Sequence, residues 1–229
     1  MLAREGKFDE ALSMLKPLDK ENVLNAALHI LFEQGKGYMA EDILAQVSVK
    51  LTHATMHILS LCNIQARELS KAEIEIQKAI ADFPNSPVYH LVAGLIDYWR
   101  AIPEDISDAK GIIPVFVRTD SFVPTAEQTE HLEAALKHYG RARELTASYS
   151  NRLILSEISQ AWILTACLLP YKKKDADRAA LEMLKCDPDN SVILLYAAEQ
   201  KLELNDECIV KLKRLVEEGK ANPNHYYWK

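Results

Sequence analysis

A small residue, a large apolar residue four positions later and a small or apolar residue three beyond that recur along this chain. Ala72, Ile76, Ala79 and Ala135, Tyr139, Ala142 show the pattern most clearly. Ala11, Leu15, Leu18 and Ala40, Leu44, Val47 follow it more loosely, as do Ala176, Ala180, Met183 and Cys208, Leu212, Leu215. Steps of four and three keep such side chains on one face of an α-helix. The small residue lets a neighbouring helix approach closely, and the large one fills the groove between the two. Pro84 and Pro188 each stand 12 residues after a small position, where a proline stops a helix. The pattern predicts helices packed in close pairs.

Composition agrees with helices and narrows the function. Seven glycines and nine prolines are too few for the turns of a sandwich or barrel, while Leu, Ala, Glu and Lys are good helix formers. The 33 acidic and 27 basic side chains leave a formal charge of −6, without the basic footprint that drives phosphate binding. A nucleic-acid partner is therefore disfavoured. The densest basic run, Lys172 to Lys174, is followed at once by Asp175 and Asp177 and reads as a solvated loop and helix start. Cys62, Cys167, Cys186 and Cys208 are far apart and form no CxxC pair, so buried thiols in a reducing compartment are expected. Charged residues from Arg4 onward argue against a signal peptide. No stretch approaches the ~20 apolar residues of a membrane span. The expected setting is cytoplasmic, with no membrane association.

The spacing of the units carries a resemblance. Tyr89, Val92, Ala93 and Ile96 match a W-x2-L-G-x2-Y helix with conservative departures, and residues 6–12 and 69–80 look like turns into a second helix. With the small–large–proline units, this resembles the tetratricopeptide repeat, whose period is about 34 residues. The resemblance implies an all-α, right-handed superhelical solenoid of antiparallel helix pairs, about eleven or twelve helices in a single domain over 1–229. Its repeats are degenerate: the six small positions are 29, 32, 63, 41 and 32 residues apart. The longest interval holds an insertion at 103–127 with three prolines and the β-rich run Ile112 to Val117. That segment is expected to be a long irregular loop, through which Phe116, Arg118 and Phe122 touch a ligand or a neighbouring helix. Residues 1–6 and 224–228 read as parts of further helices, which suggests a fragment of a longer array.

By the same resemblance, the first helices line a concave groove that holds a peptide. His57, His90, Asp97, Tyr98, Thr165, Gln200 and Lys201 are the residues placed there. The carboxylate clamp of chaperone-binding members would fall on His57, Leu61, His90 and Gly94, and none of these supplies it. His53 and His57, four apart on one helix, lack the glutamate and third ligand of a zinc site. The GKGY run at 35–38 lacks the spacing of a phosphate loop and reads as a turn between paired helices. No nucleophile, acid pair, metal site or cofactor can be assigned. The expected function is a non-catalytic scaffold that binds a protein or peptide, with a homodimer through Tyr226, Tyr227 and Trp228 as a further expectation. The alternative is a regulatory or assembly segment of a larger protein whose catalytic part lies outside this chain.

Overall fold

The computed structural model describes residues 20–45, 51–103, 122–146 and 152–221. Among them every regular element is helical and no strand occurs. The helices are α1 (Lys20–Glu33), α2 (Ala40–Ala45, entered by a 3-10 turn at Gly37–Met39), α3 (His53–Gln65), α4 (Leu69–Asp82) and α5 (Pro87–Ala101). After the long connection come α6 (Ala126–Thr146), α7 (Arg152–Ala166), α8 (Lys173–Cys186), α9 (Ser191–Glu199) and α10 (Asp206–Ala221). Ala11 of the recurring pattern, Phe116, Arg118 and Tyr226 to Trp228 lie outside the described residues.

Local chemistry sets the helix boundaries. Thr52 and Asn190 cap α3 and α9 by accepting hydrogen bonds from the backbone N–H of Thr55 and Ile193, at 3.4 and 3.0 Å. Helix α6 starts in a reciprocal capping box: the Gln128 N–H donates to Thr125 Oγ1 at 3.2 Å, and the Thr125 N–H donates to Gln128 Oε1 at 2.8 Å. Ala126 and Glu127, read above as the end of the insertion, are therefore its first turn. Helices α4 and α8 end at Asp82 and Cys186, just before Pro84 and Pro188, as the sequence predicts.

Three helices end in the same way. Gly35, Arg67 and Lys201 follow α1, α3 and α9 with positive φ of 71°, 64° and 56°. Around each, one backbone bond reaches back over the last turn: Lys36 N–H to the Leu31 carbonyl at 2.8 Å, Glu68 to Asn63 at 2.8 Å and Leu202 to Ala197 at 2.9 Å. These left-handed closures satisfy carbonyls that the helix end would otherwise leave free. The GKGY run is thus the expected turn. Its second glycine is needed for a close approach, because a Cβ on Gly37 would stand 2.4 Å from the Cys62 carbonyl oxygen.

Packing follows chain order. Each described helix meets the next one along the sequence, and the further contacts of any extent join α1 to α3, α3 to α5 and α5 to α7. The small positions sit at the seams: Ala40, Ala72, Ala135, Ala176 and Cys208 are all fully buried. The closest approach is between α5 and α6, where a Cβ on Gly94 would lie 2.4 Å from the Tyr139 ring. The large residue of the α6 stripe therefore rests on a glycine of the preceding helix. That glycine is one residue beyond Ala93, where the sequence pattern put it. One core runs from Ile64 to Cys208, a second joins α1, α2 and α3, and Leu61 packs against both.

Candidate functional site

Two of the seven groove residues come together, with four that sequence reasoning did not name. Asp97 on α5 faces α6, where His131 Nδ1 lies 3.7 Å from one carboxylate oxygen and His138 Nε2 lies 3.8 Å from the other. His138 also stacks on His90, with ring centroids 5.9 Å apart. The His90 Nε2 is 2.9 Å from the Pro84 carbonyl oxygen, which ties α5 to the turn before it. One turn on, Arg100 is 3.9 Å from Asp97 and donates to Glu73 of α4 at 2.6 Å. The result is a polar seam across α4, α5 and α6.

Electrostatics in this seam are set first by burial. The Asp97 side chain is 16% exposed, and loss of hydration raises its carboxyl pKa although His138, Arg100 and His131 all pull the other way. Burial likewise lowers the His138 imidazole against the pull of Asp97. The Arg100 hydrogen bond holds the more exposed Glu73 below the usual carboxylate range. At 3.7 and 3.8 Å the imidazoles are beyond hydrogen-bond reach of Asp97, so the cluster holds no preformed proton relay. Among the described residues no group of three or more His, Cys, Asp or Glu is arranged to hold a metal ion.

The other groove residues scatter. His57 is half-buried on α3 with its ring 6.0 Å from that of Tyr89, and burial with the nearby His29 lowers its pKa to about 4. His53, four residues earlier, turns elsewhere: it is 3.7 Å from Asp82 and meets Phe83 edge-on at 4.2 Å. Tyr98 and Thr165 are fully buried and offer no surface to a ligand. Tyr98 meets Trp99 edge-on, and the Arg67 guanidinium lies 3.8 Å over the Trp99 ring. Gln200 accepts a hydrogen bond from Lys173, and Lys201 is exposed in the left-handed turn after α9 rather than on a helix face. Phe122 is only 7% exposed and belongs to the main core, as does Ile102 at the other end of the connection.

The polar seam was missed for a definite reason. His131 and His138 are two helical turns apart on α6 and so share a face, a spacing readable in the sequence. Their partner Asp97 lies across the long connection, whose length hides any register between the two helices. All four cysteines are free: Cys62, Cys167 and Cys208 are buried, and burial pushes the thiols of Cys62 and Cys167 up to about 12. No described helix is long and apolar enough to cross a membrane. Comparison with protein-family models, with curated proteins and with solved structures gave no match.

Proposed function

We propose that this chain is a non-catalytic interaction scaffold of the tetratricopeptide kind, built as a right-handed solenoid of helix pairs, which holds a peptide or partner protein along its first helices. The observation that carries this reading is the order of packing. Helices α1, α3, α5 and α7 touch one another in series, while α2, α4, α6 and α8 fill the spaces between them. A stack of this kind has neighbour contacts only and presents a long continuous surface. The recurring small residues at the seams and the three matching left-handed turns support a repeated unit.

On this reading His90 and Lys201 contribute polar contacts at the surface, and Asp97, Tyr98 and Thr165 shape the helices behind it. The test is capture of partners from the native cell with the chain as bait, beside a His90→Glu/Lys201→Glu variant of equal thermal stability. A partner recovered in stoichiometric amount and reduced at least tenfold by the variant is the expected result. No stoichiometric partner, or equal recovery by both baits, contradicts the reading. Deleting 104–121, which spares the buried Phe122 and the Thr125 cap, tests in the same assay whether that segment touches the ligand.

A further inference from the structure

Helices α4 and α8 hand over to the next helix in the same way. They end at Asp82 and Cys186, a proline stands two residues on at Pro84 and Pro188, and α5 and α9 begin three residues later at Pro87 and Ser191. In both pairs the following helix covers one flank of the helix before it. One position beyond the seam residues Ala72 and Ala176, Glu73 bonds Arg100 of α5 and Asp177 bonds the Tyr196 hydroxyl of α9, each at 2.6 Å. Eight positions beyond them, on the same side of the helix, Ile80 packs against the main core and Leu184 is 3% exposed. On α10 the corresponding positions beyond buried Cys208 are Ile209 and Val216, and these are 38% and 37% exposed. Helix α10 thus carries the flank that α4 and α8 have covered, and α9 leaves it open.

The chain repeats the same punctuation after α10. This helix ends at Ala221 and Pro223 stands two residues on, so that Tyr226 takes the place of Pro87 and Ser191, and Trp228 that of Tyr89 and Ile193. Ile193 is fully buried and Tyr89 packs against the main core, so the position is an inward one. A four-residue loop makes α8 and α9 antiparallel, and with Tyr196 opposite Asp177, Ile193 is level with Ala180. Cys186 and Ala221 are 35 residues apart, as are Pro188 and Pro223. The same shift sets Trp228 level with Leu215, beside Val216. We propose that residues 226–228, which lie outside the described residues, begin a turn against α10 in which the Trp228 indole covers Val216. The proposal rests on the stacking reading above. A second copy or a partner could offer an apolar group too, but the tethered segment is present at an effective concentration of about millimolar or more. Covered in this way, the flank is closed to a partner, which leaves the face of the first helices for one.

The test is NMR on the full chain with methyl-labelled Val, Leu and Ile, the indole of Trp228 being identified by its absence in Trp228→Phe. Nuclear Overhauser contacts from that indole to the Val216 methyls are expected, unchanged over a tenfold range of concentration. Trp228→Ala should remove the ring-current shift of Val216, leave that of Ile209 two turns away unaltered and speed amide exchange in the last turns of α10 at least tenfold. A Val216 signal identical in wild type and Trp228→Ala would overturn the proposal. So would contacts seen only between differently labelled chains, which would assign the flank to a second copy. Small-angle scattering separates the two readings: an elongated chain without the contact retires the covering turn alone, and a compact chain that keeps the contact retires the open stack alone.

Discussion

Burial of His57 between α1, α3 and α5 makes its protonation a matter of stability. The folded chain holds this imidazole neutral down to about pH 4, whereas in the unfolded chain it takes up a proton near 6.5. Above 6.5 both states carry it neutral and the full stability is present; as pH falls from 6.5 towards 4 only the unfolded state gains a proton, and stability is lost. A proton bound by the unfolded chain alone costs about 1.4 kcal/mol for every pH unit crossed, so the loss reaches about 3 kcal/mol. His57→Gln removes this titration. Urea unfolding between pH 7 and pH 4 should show wild type losing about 3 kcal/mol more than the variant, and parallel profiles would remove His57 as the cause. Tyr98 and Thr165 teach a related lesson about legibility. A polar atom on a side chain does not reveal which way that side chain points, and both of these, expected on a surface, lie in the core.

Among the helices, what the sequence made legible was the second member of each pair. Ala72, Ala135 and Ala176 stand out because the faces around them are charged, so a single apolar stripe has a definite phase. Helices such as α5 give no such phase: Leu91 to Ile96, Tyr98, Trp99 and Ala101 are all buried, and an apolar run looks alike in any register. The pattern accordingly put a small residue at Ala93 when the one that matters is Gly94. A one-residue slip on a helix is a rotation of about 100°, enough to send a groove residue into the core. Gly94→Ala tests the register. Alanine would gain about 1 kcal/mol of helix propensity, but its Cβ would stand 2.4 Å from the Tyr139 ring, and overpacking costs about 1–3 kcal/mol or more. A net loss of about 1–2 kcal/mol in chemical denaturation is expected. In a Tyr139→Leu background the same change should cost less than about 0.5 kcal/mol, and an equal cost in both backgrounds would show that the ring is not the obstacle.

Over the whole molecule, the helical class and the pairing of helices follow from spacing alone. The polar seam does not, because it is assembled from three helices. Asp97 meets His131 and His138 only after the connection is spanned. That meeting leaves no motif in the linear order of residues. The central proposal is that the pairs continue as an open stack rather than folding back on one another. Small-angle X-ray scattering of the monomeric chain tests it most directly, since a compact domain of this length has a radius of gyration of ~17 Å. An open stack predicts a clearly larger radius and an elongated distance distribution with a long tail. A radius near the compact value with a symmetric distribution would contradict it.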